Sequence, residues 1–383
     1  MRVLWVDLIS ELGGAQYSLL EVCGGLAACG VEVVAAVPQG PLFERLSAKG
    51  IPIFPVSPVR ASRRGWGLFS TAAKLMRAPS TVCQIIRAVK PDIIHANSLP
   101  AFLASRKTFS HIPLVWHVRD LRLPVVIARD AAKKASRIIA ASEAIDEYLV
   151  EILSPSILGR IRVVRNGIDP ASAASVSRAA ARQRFGLPAE APVVGMVAHL
   201  IPWKRHDAFV MAAAEIRRQR PDVHFALVGR NLFNEHARWA GQLEKMVDQA
   251  GLADVFHWIT ASDDAAQILP AFDVLLHPAL GEPFGRVLCE AMAASVPVIA
   301  AESGGPCTII EQGVSGILVR GGEPIGMAEE TLGLLADPAR AAALAAAGRT
   351  RVLSQFTVAK VCEQLAKEYR ALIAATSTGH DDE

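Results

Sequence analysis

Two glutamates, Glu282 and Glu290, stand in the stretch His277-Pro-Ala-Leu-Gly-Glu282-Pro-Phe-Gly285-Arg-Val-Leu-Cys-Glu290-Ala-Met-Ala. The pattern predicts a strand ending near His277, a Gly/Pro loop, and a helix starting around Gly285. A helix start at the carboxyl edge of a parallel sheet offers unsatisfied N–H groups, here of Phe284 and Gly285, to an anionic ligand. From the loop, Glu282 can reach a sugar hydroxyl. From the helix, Glu290 can accept both hydroxyls of a ribose, because a carboxylate takes two hydrogen bonds from a vicinal diol. The E-x7-E spacing alone arises often by chance. The loop and the strand before it make it specific.

Other polar residues fall at the ends of apolar runs. Gly13-Gly14 follows the first strand and precedes a helix, where a backbone without side chains can approach a phosphate closely. It is not G-x-G-x-x-G, and Glu32 begins the second strand rather than ending it, so the dinucleotide-binding context is missing. A helix-start turn with no ligand is the alternative. Trp116-His117-Val-Arg119-Asp120 ends a buried strand, the place where open α/β sheets bind ligands. His117 there reads either as a site residue or as a satisfied core histidine, and Arg119 and Asp120 either serve a ligand or pair with each other. His95 and Asn97 end the preceding strand. In Leu227-Val228-Gly229-Arg230, Gly229 permits close approach and Arg230 can contact a base or a phosphate. Trp258 and Thr260, at the next strand end, border a base pocket in this reading. Asp263-Asp264 sits early in an expected helix and reads as cap and dipole partner, not as the D-x-D of a metal site.

The elements that must position these groups are legible in the pattern. Short β-branched runs (Val3–Val6, Val31–Val37, Ile51–Val56, Ile93–His95, Leu114–His117, Ile138–Ala140, Ile161–Val164) alternate with amphipathic stretches such as Ala15–Cys29 and Phe69–Val89. A second series runs through Val193–Val197, His224–Val228, Val255–Ile259, Val274–His277, Val298–Ala301 and Gly316–Val319, with helical patterns at Asp207–Arg218, Asn234–Ala250 and Gly285–Ala294. Strand–helix alternation at this spacing predicts βαβ units and parallel sheets covered on both faces. Two such series predict an α/β protein of two Rossmann-like domains: residues 1–172, an Ala/Ser-rich linker at 173–190, residues 191–355, and a last helix at 356–376. The terminal Gly379-His-Asp-Asp-Glu383 is expected to fray.

Composition narrows the function. The chain has 383 residues, is 51% hydrophobic, and carries a net charge of +3, which argues against disorder and against a wholly basic nucleic-acid binder. That total hides an asymmetry: residues 1–170 hold 21 Lys+Arg and 13 Asp+Glu (net +8), the remainder 19 and 24 (net −5). The two halves are expected either to meet different partners or to carry a harmless surface asymmetry. The six cysteines form no C-x-x-C pair, so free thiols in a reducing cytoplasm are expected. No signal peptide or 18-residue apolar span stands in this sequence. Arg60-Ala-Ser-Arg-Arg64-Gly-Trp66, Arg106, Lys107, Lys133 and Lys134 read either as a surface for anionic lipid or a lipid-linked diphosphate, or as solvated helix faces.

These motifs together resemble the retaining glycosyltransferases of group 1 (glycosyltransferase family 4), with the GT-B fold, over nearly the whole chain. Leu12-Gly13-Gly14-Ala15-Gln16 resembles the family's glycine loop, Pro91-Asp92-Ile-Ile-His95-Ala96 a strand-end motif, and Arg165-Asn166-Gly167-Ile168-Asp169 an interdomain motif. Glu282 and Glu290 fit its E-x7-E signature. Glu302-Ser303-Gly304-Gly305-Pro306 resembles its Gly-Gly turn, with Thr308 where an acid is common. The resemblance implies a nucleoside diphosphate sugar held by the C-terminal domain and a hydroxyl acceptor, saccharide or lipid-linked, at the N-terminal one. It implies that the last helix crosses back to the N-terminal domain, that no metal or other cofactor is needed, and that no nucleic acid is bound.

The resemblance also distributes roles. His117 would stand beside the reacting sugar, with His95, Asn97, Arg119 and Asp120 on the acceptor side. Gly13, Gly14, His199, Lys204, Arg205, Phe284 and Gly285 would surround the donor diphosphate. Lys204 matches the family lysine, whereas His199 replaces an arginine, so Lys204 carries more of the load or Arg205 compensates, and diphosphate affinity becomes pH-dependent. Localisation is expected in the cytoplasm, at the inner face of the membrane if the basic surface is used. The competing classes are another GT-B enzyme acting on nucleotide sugars, epimerase-like, and a non-catalytic two-domain sugar-binding protein.

Overall fold

The computed structural model describes residues 1–59, 79–106, 112–173, 176–230, 237–260 and 265–378. The basic run Arg60–Trp66, Lys107, Asp263-Asp264 and the terminal Gly379–Glu383 lie outside them, as do the first residues of the helical patterns expected from Phe69 and Asn234. The chain forms two compact units. One comprises Met1–Gly167 with Val358–Glu383, the other Ile168–Thr357.

The first unit is built on a seven-stranded parallel sheet: β1 (Arg2–Val6), β2 (Glu32–Val37), β3 (Ile53–Pro55), β4 (Ile93–Ala96), β5 (Leu114–Val118), β6 (Arg137–Ala140) and β7 (Ile161–Val163). Their order is β3-β2-β1-β4-β5-β6-β7. Alternation divides each strand between two cores: Leu4, Val6, Ile94, Trp116 and Val118 face one side, while Val3, Trp5, Ile93 and Val115 face the other. The last helix, Val358–Thr378, completes the second face. It lies so close to the first helix, Gly14–Gly25, that a β-carbon on Gly25 would sit 2.8 Å from Cys362 Sγ. Its Glu368 meets Arg137 at 3.1 Å.

The second unit carries six parallel strands: β8 (Val193–Val197), β9 (His224–Gly229), β10 (Phe256–Thr260), β11 (Val274–His277), β12 (Val298–Glu302) and β13 (Ile317–Arg320). Their order is β10-β9-β8-β11-β12-β13. The chain enters and leaves this unit side by side, Ile168 pairing with Thr357 as an isolated parallel bridge. In both sheets the strand order reverses once, between β1 and β4 and between β8 and β11. Ligands of open α/β sheets bind outside the carboxyl ends of the strands at such a reversal.

The stretch expected as a linker is a correction. The helix Arg178–Phe185 belongs to the second unit, anchored by Arg182, whose side chain is 2% exposed. Arg182 donates to the carbonyls of Ala271, Pro188, Ala189 and Ala191 and to Asp273, and Arg178 also meets Asp273 at 2.6 Å. A buried guanidinium with five satisfied bonds fixes this segment with little apolar surface, so no hydrophobic period announces it. All six cysteines are free thiols. Among the described residues no helix is long and apolar enough to cross a membrane.

Candidate functional site

At the reversal of the second sheet, β8 runs out at Val197 and leads through His199 into a short turn, Pro202–Lys204. Across the reversal, β11 ends at His277 and leads into the Glu282 loop. Lys204 Nζ donates to Glu282 Oε2, bridging the two strand ends, and His277 Nε2 stands 3.1 Å from the same oxygen. Because the carboxylate can only accept, His277 carries its proton on Nε2. Burial raises the Glu282 pKa, but Lys204 and His277 outweigh it and bring it down to about 2. Both partners occupy Oε2, and no group among the described residues bonds Oε1. The glutamate is therefore a fixed anion with one oxygen left for a ligand's O–H, and it is too weak a base to hold a proton at neutral pH.

The glycine pair after β12 explains how that loop is held. Gly305 N donates to Glu282 O at 2.7 Å, and Glu282 pairs with Gly304 as an isolated bridge. Gly304 has φ +68°, and a β-carbon there would lie 2.5 Å from Glu282 O; one on Gly305 would lie 2.1 Å from Phe284 O. Only glycine admits this contact. Phe284 is 3% exposed, so its ring belongs to the core and its backbone alone is available to a ligand. The helix Arg286–Ala293 then starts with Gly285 as its left-handed N-cap. Glu290, four residues along that helix from Arg286, pairs with it at 3.0 Å.

The remaining candidates of this unit follow the same edge, except Trp258, which lies in the middle of β10 rather than at its end. Burial first, then Lys204 and Arg230, push the His199 pKa down to about 4, so the ligand-free protein holds it neutral at physiological pH. The titration expected near neutrality is displaced accordingly. Arg205, at φ 58°, turns its guanidinium to Asp207 at 3.7 Å. The close approach that Gly229 permits is made by protein: a β-carbon there would lie 2.1 Å from Ala198 O. Arg230 and Thr260 follow at the ends of β9 and β10, and Trp258, 40% exposed, packs on Phe256. Sequence reasoning missed His277 as the second clamp on Glu282 and the fully buried His206, whose pKa burial also pushes to about 4. The signal for His277 was its place as last residue of a buried strand.

In the first unit the reversal is spanned by Asn97, whose Nδ2 donates to Asp7 Oδ2 at 2.7 Å. Gln16 Nε2 donates to the same oxygen at 3.0 Å, and Gln16 Oε1 receives the Gly13 N–H at 3.2 Å. Gly13 is the N-cap of the first helix and Gly14, exposed, its first residue. Arg119, just past the end of β5, donates to Asn97 Oδ1 at 2.8 Å, Ser18 Oγ at 3.1 Å and Asn166 Oδ1 at 2.5 Å. Asp120 beside it is exposed.

His117 sits deeper than a residue beside the reacting sugar was expected to. It is 1% exposed inside β5, under the last helix, and His95 is fully buried beside it. Residues 117 and 119 share one face of the strand, but only 119 lies beyond its end. Arg119 thus carries its polar head to the strand end, whereas His117 stays within the ladder with its Nε2 unpartnered among the described residues.

The family profile "Glycosyl transferases group 1" matches residues 177–351, and "Glycosyltransferase Family 4" matches residues 12–172. A D-inositol 3-phosphate glycosyltransferase of Thermobispora bispora is 29% identical, the alignment covering 94% of this chain and 90% of that one. The crystal structure of the Anabaena protein HepE in complex with UDP-glucose superposes with a TM-score of 0.81 at 25% identity, covering 97% of this chain and all of that one. The sucrose-phosphate synthase of Thermosynechococcus elongatus shares the fold, with a TM-score of 0.82 at 22% identity over 98% of this chain and 99% of that one. Two parallel-sheet units, each matched by its own half of one family, leave a single conclusion: the chain belongs to glycosyltransferase family 4, the group 1 glycosyltransferases, and is a glycosyltransferase of the GT-B fold.

Proposed function

We propose that the protein moves a sugar from a nucleoside diphosphate donor to a hydroxyl acceptor with retention at the anomeric carbon and without a metal ion. The observation that carries this reading is the Lys204–Glu282–His277 cluster at the reversal of the second sheet. The donor diphosphate would lie against Lys204, His199 and the backbone N–H groups at Phe284 and Gly285. Glu282 Oε1 would accept from a sugar hydroxyl, Glu290 from the ribose, and Arg230, Trp258 and Thr260 would border the base. As the bond from the anomeric carbon to the diphosphate oxygen breaks, charge grows on the leaving phosphate. Lys204 and the fixed N–H groups stabilise it where it develops. The acceptor oxygen forms the new bond on the same face, and its proton passes to the leaving phosphate. A glutamate held near pKa 2 is unsuited to take it, which supports this substrate-assisted route.

UDP-glucose and D-inositol 3-phosphate, the ligand of one relative and the substrate named for another, are the first donor and acceptor to test. With EDTA present throughout, the product's anomeric proton will show the configuration of the donor. An inverted product refutes retention, and complete loss of transfer in EDTA refutes the metal-free reading. Acceptor contacts fall to Arg119 and Asp120 past the carboxyl end of β5, with the buried Asn97 holding Arg119 from behind.

Peripheral contact with an anionic membrane from the cytoplasmic side belongs to the same proposal. Its support is the net +8 of the first 170 residues and three consecutive exposed apolar residues, Val125, Val126 and Ile127, on the helix that ends in Lys133-Lys134. The protein will sediment with phosphatidylserine vesicles at low salt. Absence from the pellet removes the membrane role.

A further inference from the structure

A chain of aromatic side chains connects the last helix of the first unit to the carboxyl end of β5. Tyr369 Oη lies 2.7 Å from His95 Nδ1. His95 Nε2 lies 3.0 Å from His117 Nδ1, and Arg119 Nη2 lies 3.2 Å from that same nitrogen. Trp5 stacks on His95 with ring centroids 3.7 Å apart, so the His95 ring cannot tilt away.

The Arg119 contact orders the protons of this chain, leaving the His117 Nε2–H without an acceptor among the described residues. A guanidinium only donates, so His117 Nδ1 is an acceptor and the His117 proton is on Nε2. His95 Nε2 faces the same lone pair and must donate to it, because two bare nitrogens would repel. A neutral imidazole has one N–H, so His95 Nδ1 is bare and receives the Tyr369 hydroxyl proton. Both rings must be neutral for this to hold. Burial, with Arg119 adding to it, pushes both pKa values well below the ordinary histidine range.

We infer that Tyr369, His95 and His117 are positioning residues that hold the Arg119 guanidinium in a fixed plane at the end of β5. The functional consequence rests on the reading that Arg119 serves the acceptor. Asn97, Ser18 and Asn166 hold the guanidinium through its Nε and Nη1 groups, and the ring chain holds Nη2. A residue 250 positions further along the chain thus sets the orientation of a strand-end arginine.

The test is nitrogen NMR of histidine- and arginine-labelled protein. In the wild type, both His95 and His117 will be neutral with the proton on Nε2, and the Arg119 Nε–H will exchange slowly with solvent. Tyr369→Phe keeps the ring and removes the O–H. It will let His95 populate the Nδ1–H form and speed exchange at Arg119. With UDP-glucose and D-inositol 3-phosphate it will raise the acceptor KM about threefold to tenfold, the scale of one hydrogen bond, without changing kcat. Either ring protonated on Nδ1 in the wild type overturns the inference, and so do unchanged Arg119 exchange and acceptor KM in Tyr369→Phe. The spectra need neither substrate, so they judge the ring chain even if this substrate pair fails. Unchanged acceptor KM in Arg119→Ala, with the expected spectra intact, would instead sink the acceptor reading alone.

Discussion

Lys204→Ala will cost both turnover and stability. The ammonium lies on the buried carboxylate of Glu282 and over the Trp203 ring, 4.2 Å from its centroid. Its removal leaves a buried anion with His277 as its one remaining partner, and breaking such a pair from one side costs about 3–5 kcal/mol. The catalytic loss has a separate origin. Removing one preorganised group that meets developing charge lowers kcat by about 10²–10³-fold. Glu282→Gln separates the two effects, because it neutralises the site without emptying it. In that background Lys204→Ala should cost little further stability, yet the turnover loss should persist, since the leaving diphosphate still lacks its cation. Melting temperature and kcat measured on the four proteins of this cycle decide the matter. Near-normal turnover in Lys204→Ala would take Lys204 out of the chemistry.

The fold was legible because doubly wound strands are short, β-branched and buried on both faces. Runs such as Val3–Val6 and Val298–Ala301 therefore stand out against the amphipathic helices between them. Glu282 and Lys204 were legible for a related reason: a polar group that follows a fully apolar strand has reached its carboxyl end. Position along a strand was less legible. His117 and Arg119 have the same parity, and only the pairing of Val118 with Ala140 shows which of them lies past the ladder. The Gly304-Gly305 pair was recognisable as a turn, but its reason, a close approach to the backbone of Glu282 and Phe284, is tertiary. Arg182 and Tyr369 were illegible for opposite reasons. Arg182 looks like a solvated helix residue until four carbonyls surround it. Tyr369 looks like a core aromatic until its hydroxyl meets a histidine from the other end of the chain.

Acid will destabilise this protein earlier than its carboxylates alone would require. Of its ten histidines, His95, His206 and His277 are at most 1% exposed, as is His117, and His199 is part-buried. Burial lowers the pKa of all five, to about 4 for His199 and His206. An unfolded histidine titrates near 6.5. Between that value and 4 the unfolded chain binds more protons than the folded one, so stability is complete above about pH 6.5 and falls as pH falls. A shift of this size is worth about 3 kcal/mol for each of His199 and His206, a large fraction of a domain's stability. Glu282 adds a loss of the same sign at lower pH, from about 4.5 toward 2, as its ion pair is protonated. Asp7 works the other way: burial raises its pKa, so its cost is relieved by acid, but it lies in the first unit and cannot protect the second. Melting temperature should therefore drop steeply between pH 6.5 and 4.5. His206→Gln, which removes one buried imidazole, should flatten that slope. A melting temperature constant from pH 7 to 4.5 would mean that these rings accept protons inside the folded protein, and that the site described around Lys204 is wetter than its burial implies.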